Sequence, residues 1–386
     1  MDERTRAYLR GRFGDHYRRT EITPPPAPEA REWGYVPWTS GPGETMVRHR
    51  ALMDLGDPEG FLERERPKHV YFSAGRYDEP GAATMAGKGW RDSDLIFDLD
   101  ADHLPSVDLG ADSYAQMLAK CKDALFRLLD FLEEDFAFED LTVVFSGGRG
   151  YHVHVRDESI RSLESAGRRE IVDYVRGIGL DHDALVRTGM RGTATARQLR
   201  TEGGWGRRVH DRLLEEVARL REMDEEAALT TLQDLEGVGQ SRAGTIYGAV
   251  QGNPAAFEAG NLEAGGVGMR ELVKTLVGEV ETAHQAPIDE PVTTDTNRLI
   301  RLPGSIHGGS GLAVIRLERD AIEAFDPLVD AVPETFVGQD IAIDLEEGET
   351  VDLAGDTFTL DAGDRSVPEY LGVFLMCRGR AAKGAE

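Results

Sequence analysis

DLIFDLDADH, Asp94–His103, is the stretch whose reading decides how the rest of this chain is understood. Leu95, Ile96 and Phe97 form an apolar run consistent with a buried strand, and it leads into two aspartates, Asp98 and Asp100. Side chains on a strand alternate between faces, so Asp98 and Asp100 project side by side from its end. Adjacent carboxylates repel unless something positive stands between them. Hard cations that take oxygen ligands, Mg²⁺ or Mn²⁺, are the usual solution.

On these residues alone three readings stay open. The pair is a solvated strand end running into an acidic turn, the nucleophile motif of a haloacid-dehalogenase-type phosphatase, or the metal-binding pair of a nucleotidyl transferase. Phosphatases of that type follow the same DxD with Gly-Thr or a close variant, whereas Ala101-Asp102 follows here.

Composition narrows the setting. A chain of 386 residues with 40% hydrophobic content holds one large domain or two ordinary ones. No uninterrupted apolar stretch approaches the ~20 residues of a membrane span. The opening MDERTRAYLRGRFGDHYRR lacks the apolar run of a signal peptide. Cys121 and Cys377 lie far apart and make neither a disulfide framework nor a CxxC zinc motif. A reduced cytoplasmic setting with no membrane partner is expected. The net charge of −26 argues at first sight against a polyanion partner, but the acids are dispersed along the chain and the basic residues are almost all arginine. Such a surface suits a high-salt cytoplasm, where at roughly 1 M salt the Debye length is about 3 Å and distant charges hardly repel DNA.

Outward from the DxD stretch, the hydrophobic pattern predicts an α/β core. An amphipathic helix is expected over Thr5–Arg19, a Pro-rich connector at Pro24–Pro28, a strand at Arg31–Val36, a short element in Met46–Met53 and a strand at His69–Ala74. Gly81–Gly89 reads as a loop. Tyr114–Glu134 carries the apolar stripe of a helix, and Leu141–Phe145 and Tyr151–Val155 read as strands. From about residue 160 to 286 the pattern turns helical and charged, with Leu213–Leu220 and Glu225–Leu235 the clearest helices. The expected organisation is therefore a discontinuous core, 1–159 and 287–386, with a helical insertion at 160–286. Within the insertion, Leu235–Ala243 resembles the turn of a helix-hairpin-helix, although an ordinary helix–helix turn reads the same way. Strands return at Leu299–Leu302, at Leu312–Leu317 and between Phe336 and Leu360, before a last helix at Pro368–Arg378.

Two further constellations carry chemistry. SGGRGYH, Ser146–His152, lies where one strand turns into the next. Its glycines let backbone approach a ligand, while Ser146, Arg149 and His152 offer a hydroxyl, a guanidinium fork suited to phosphate and an imidazole. An exposed hairpin turn is the plain alternative. IDEPVTTDTNRLIRLPGSIHGGSGL, Ile288–Leu312, places Asp289, Glu290 and Asp295 ahead of Arg298, Arg301 and His307. Each charge alone reads as a solvated face. Together with the DxD strand and the SGxRGxH turn, they supply an acid to complete a metal site and bases to hold phosphates.

These segments, with REWGYVP at Arg31–Pro37, MVRH at Met46–His49 and KHVYFSAGRYDEP at Lys68–Pro80, resemble in their order the catalytic small subunit of archaeal and eukaryotic DNA primases. The resemblance runs from near the N-terminus to about Leu312, and the acidic, lysine-poor composition suggests a haloarchaeal member. It implies a primase fold with a mixed β-sheet core. It also implies synthesis of short primers on single-stranded DNA from nucleoside triphosphates by two-metal-ion chemistry with Mg²⁺ or Mn²⁺, beside a large-subunit partner.

By the same resemblance, Asp98, Asp100 and Asp289 are the catalytic metal-binding acids, with Asp295 the weaker candidate for the third. Ser146, Arg149, His152, Arg301 and His307 hold the nucleotide, and Glu32 matches an acid that some members use near the site. Gly148 stands where many relatives carry a second arginine. His103 and Cys121 are too few for the family's zinc knob, since structural zinc wants four protein ligands, so no structural zinc is expected. A relative that fills gaps rather than starting strands, the phosphatase, and a binding subunit without catalysis are the rival functions.

Overall fold

The computed structural model describes residues 1–39, 43, 45–191 and 194–385, and within it the chain divides into two compact units. The first comprises Met1–Leu125, Glu139–Val172 and Pro287–Glu386; the second comprises Phe126–Phe138 and Asp173–Ala286. In chain order the strands that matter here are β1 (Arg31–Val36), β2 (Val47–Arg50), β3 (His69–Tyr77), β4 (Trp90–Ser93), β5 (Leu95–Asp100), β6 (Leu141–Phe145), β7 (Gly150–Val155), β8 (Val186–Arg191), β9 (Ala194–Leu199), β10 (Leu299–Arg301) and β11 (Ile315–Leu317).

Two sheets organise the first unit. One runs β10-β3-β1-β2, with β4 also paired to β3; the other runs β11-β6-β7-β5. The chain passes from one sheet to the other at Asp94, between β4 and β5. That corner is locked. Asp94 N–H donates to the Ala74 carbonyl at 3.1 Å, and the buried Asp94 carboxylate accepts from Arg31 at 2.9 Å and Arg156 at 3.2 Å. Leu95, Ile96, Phe97 and Leu99 are buried, whereas Asp98 and Asp100 are half-buried on the one face that opens.

The expected mixed sheet is corrected by the pairing: every paired strand in the two sheets is antiparallel. The helix Tyr114–Asp130 does carry the chain from β5 to β6 in a crossover, which leaves those two strands parallel. β7 then inserts between them, so no parallel neighbours meet. Strand β4 and the helical turn Met85–Lys88, in and just after the expected 81–89 loop, are further departures. Towards the C-terminus, Asp340–Leu345 pairs with Gly363–Pro368 and Ala381–Lys383, and Glu349–Leu353 pairs with Asp356–Leu360.

The second unit is mainly helical, with Gly204–Glu222, Glu225–Gln233, Gln240–Gly252 and Gly266–His284 as its longer helices. It is not wholly helical as expected, because β8 and β9 form an antiparallel hairpin. The Leu235–Ala243 turn joins two of its helices through Gly237, whose φ of +77° lies in the left-handed region that glycine adopts freely. Among the described residues, no helix is long and apolar enough to cross a membrane.

Candidate active site

The site is built on the β5–β7 pair, where Asp98 stands opposite His152 and Asp100 opposite Gly150. His152, 4% exposed, places Nε2 3.3 Å from Asp98 Oδ1. Burial acts to raise the Asp98 pKa, but His152, Arg298 and Arg301 outweigh it and hold the carboxyl below its ordinary value. Asp100 Oδ1 accepts the Asp102 N–H at 3.2 Å. The strands approach so closely at Gly150 that a Cβ there would lie 1.9 Å from the Leu99 carbonyl oxygen, which explains the glycine directly.

Asp289, remote in sequence, arrives at the same strand. Its N–H donates to the Asp98 carbonyl at 2.9 Å, and the short helix Glu290–Thr294 that follows packs on β5. The edge of β5 is thus met at Asp98 by the segment that carries Asp289. Among the described residues, Asp98, Asp100 and Asp289 have no lysine or arginine ion-pair partner.

A cleft of about 310 Å³ opens beside Asp98 and His152. Arg48, Tyr71, Asp295, Arg298 and Arg301 also line it. Arg301 on β10 faces Tyr71 on β3 in register, with its guanidinium 5.6 Å from the ring centroid. Asp295 therefore lies on the cleft wall, with its carboxylate accepting the Asn297 N–H at 2.8 Å, while Asp289 enters through its backbone.

Ser146, Arg149 and His307 form a neighbouring group around the glycine turn. Gly147 has φ +74°, Gly148 N–H donates to Ser146 Oγ at 3.3 Å, and a Cβ on Gly148 would sit 3.2 Å from His307 Nε2. His307 therefore covers the turn. Its Nδ1 accepts the Gly309 N–H at 3.2 Å, which leaves the ring proton on Nε2. Burial, with Arg301, His69, Lys68 and Arg149 around it, pushes the His307 pKa well below the ordinary value, so the ring is a neutral donor. His69 packs edge-on to it at 4.9 Å and is itself lowered to about 3 by burial, Arg301 and Lys68. Arg149 pairs with Asp102, just past the DxD.

Glu32, which the resemblance sets near the site, reaches the cleft through Arg48. Its fully buried carboxylate binds Lys88, accepts from Arg48 Nε at 3.2 Å and accepts the His49 N–H at 2.9 Å. Burial opposes its ionisation, yet Lys88, His49 and Arg48 hold its pKa below the ordinary value. Its visible effect is to orient Arg48, a cleft residue that sequence reasoning passed over. Tyr71 was passed over too, because it lies inside a strand taken for core, whereas Arg298, named with Arg301 among the bases to hold phosphates, does line the cleft.

For a metal, the donor set is oxygen-only, which suits a hard cation. Among the described residues, no three His, Cys, Asp or Glu side chains are already gathered closely enough to hold an ion. The fit lies in charge and placement: among the described residues, three carboxylates with no lysine or arginine within ion-pair distance, on segments joined backbone to backbone.

Comparison with known proteins settles the family. The family model for the DNA primase small subunit matches residues 97–319, from within the DxD strand past the His307 turn. The chain belongs to the DNA primase small subunit family. It is 63% identical to the DNA primase small subunit PriS of Haloarcula marismortui and 59% identical to that of Halorubrum lacusprofundi. It is 40% identical to that of Methanothrix thermoacetophila, and in all three the match covers 100% of both chains. The strongest of these matches are haloarchaeal, as the acidic, lysine-poor composition suggested.

Proposed function

We propose that this chain is the catalytic subunit that synthesises short primers on single-stranded DNA, joining nucleoside triphosphates in a template-directed nucleotidyl transfer. Membership of the primase family supports the reaction class and removes the phosphatase reading of the DxD pair. The observation that carries the site is the hydrogen bond from Asp289 N–H to the Asp98 carbonyl, which brings the late acid to the strand of the DxD beside an arginine-lined cleft.

Asp98, Asp100 and Asp289 would hold the divalent ions, Mg²⁺ or Mn²⁺, and these when bound would acidify a 3′-hydroxyl and neutralise a leaving pyrophosphate. The chain's own residues do the rest. His152 fixes the Asp98 carboxylate. Arg48, Arg298 and Arg301 bind the charge of a triphosphate in the cleft, with Arg48 oriented by Glu32. The Gly147–Gly148 turn, Ser146, Arg149 and the Nε2–H of His307 complete the phosphate contacts, with Arg149 exchanging Asp102 for substrate. The second unit is read as the family's helical insertion, and a large primase subunit as the partner in initiation. The two cysteines are free, in keeping with a reducing cytoplasm.

The test is primer synthesis on unprimed single-stranded template by the wild type and by the Asp98→Asn, Asp100→Asn double variant. New oligonucleotides from the first and none from a folded second are expected. Extension of supplied primers without any new starts would instead favour a gap-filling enzyme.

A further inference from the structure

Two hydroxyls hold the glycine turn from its carbonyl side, and neither has a part in the reaction so far. Tyr114, the first residue of the helix Tyr114–Asp130, donates its hydroxyl proton to the Gly148 carbonyl at 2.8 Å. Ser310, 2% exposed, donates from Oγ to the Gly147 carbonyl and accepts the Leu312 N–H at 3.1 Å. The next two carbonyls are taken as well: Arg149 accepts the Ala101 N–H at 3.2 Å, and Gly150 accepts the Ser146 N–H at 2.9 Å. Four successive carbonyl groups of one turn are therefore fixed, all by residues of the first unit.

The donors of the turn are treated differently. Among the described residues, the Arg149 N–H has no acceptor, and the Gly148 N–H has only the Ser146 hydroxyl, at a long 3.3 Å. In a planar trans peptide the carbonyl of one residue and the N–H of the next point in opposite directions. Anchoring the Gly147 and Gly148 carbonyls thus sets the aim of the Gly148 and Arg149 N–H groups, away from Ser310 and Tyr114 respectively. Successive backbone donors of this kind make a concavity for an anion. The glycines make the anchors necessary. With no Cβ at 147 or 148, the peptides that follow them turn over at little cost, and a flipped peptide presents an oxygen where an anion needs a donor.

Each anchor is itself held. Phe374 meets the Tyr114 ring edge-on with centroids 5.6 Å apart, and the Arg378 guanidinium lies 4.9 Å from the ring centroid. Burial pushes the Tyr114 pKa up to about 12, so the hydroxyl keeps the proton it donates. Ser310 closes the His307 turn, its N–H donating to the His307 carbonyl at 3.1 Å. Its bond to Gly147 therefore ties the histidine loop to the glycine turn as well.

We propose that Tyr114 and Ser310 are positioning residues for the nucleotide: by holding the Gly148 and Gly147 carbonyls, they aim the Gly148 and Arg149 N–H groups at its phosphates. The proposal rests on the reading of this turn as the phosphate-holding loop and adds to it two residues that act only through the backbone. Removing either hydroxyl loosens the grip on phosphate and leaves the acids of the DxD strand as they are.

The experiment is calorimetric titration of the full chain with adenosine triphosphate and magnesium chloride at constant potassium chloride, beside steady-state extension of a supplied primer. Tyr114→Phe removes one oxygen and keeps the ring in its packing. It should weaken triphosphate binding and raise the nucleotide KM roughly fivefold, as the loss of one hydrogen bond implies. The kcat and the KM for primer–template should stay within about twofold of wild type. Ser310→Ala should act in the same direction; if it fails to fold, Tyr114→Phe decides alone. Triphosphate binding by Tyr114→Phe equal to wild type overturns the proposal. So does a kcat that falls with the folded fraction while the nucleotide KM stays put, or a wild type that binds no triphosphate. Wild type that binds triphosphate yet extends no primer removes the primase reading of the site, and the titration of Tyr114→Phe still decides this one.

Discussion

Strand β5 is entered through one aspartate and left through two others, and the molecule treats the two ends in opposite ways. At the entrance, Asp94 is 1% exposed and its carboxylate is claimed by Arg31 and Arg156. At the exit, among the described residues, Asp98 pairs with His152 and Asp100 accepts a backbone N–H, neither has a lysine or arginine within ion-pair distance, and both stand half open. The same side chain is thus a structural keystone at one end and, a few residues on, feels Arg298 and Arg301 only across an open cleft. A buried carboxylate bonded directly to guanidinium groups stabilises a corner; one that faces them across a cleft keeps its oxygens available for something that arrives later.

The sharpest way to break this comparison is at the exit. Asp98→Asn with Asp100→Asn should abolish primer synthesis, by on the order of a thousandfold or more, since the groups that would bind the reacting charge are gone. Thermal unfolding should be unchanged or slightly lowered, because Asp98 gives up its favourable interactions with His152, Arg298 and Arg301. Activity near wild type in a well-folded double variant would end the assignment. At the entrance the signs reverse. Asp94→Ala strands Arg31 and Arg156 without a counter-charge and should cost about 3–5 kcal/mol of stability, read from denaturant unfolding. Equal stability there would mean that the corner is held by its backbone bonds alone.

Between the ends, Gly150→Ala forces a methyl group onto the Leu99 carbonyl and should cost about 1–3 kcal/mol while lowering activity, as Asp100 shifts with the strand. Glu32→Gln weakens the hold on Arg48 and should raise the nucleotide KM by roughly tenfold with a smaller change in kcat. The smallest effect concerns pH. The Glu32 pKa is lower folded than unfolded, so its contribution to stability is fully present above the ordinary carboxylate range and is lost as pH falls through the folded value. Comparing acid unfolding of wild type with Glu32→Gln should show a shallower acid limb in the variant.

The sequence made the exit legible because its signal is local. An apolar run, a spacing of two and a glycine turn can be read without coordinates. What could not be read depends on who sits across a sheet. Arg48 looks like a surface charge until β2 places it on the wall of the cleft. Glu32 matches an acid near the site in some relatives, but its burial against Lys88 and its bond to Arg48 could not be read from the motif. The hairpin of β8 and β9 escaped notice because VRTGMR and ATARQL lack the alternating apolar positions that announce a strand. Pairing direction is likewise silent in strand patterns; β7 slipping between β5 and β6 turned the expected mixed sheet antiparallel.

The backbone link between Asp289 and Asp98 has a consequence for how the molecule is made. Until the ribosome has delivered Asp289, the outer rim of β5 has no lid, and its unpaired peptide groups and apolar neighbours are open to any passing chain. Translation therefore holds this strand exposed while the whole second unit is synthesised. A protein that ties Asp289 to Asp98 across the span of its second unit can close that strand edge only after both sides of the insertion exist.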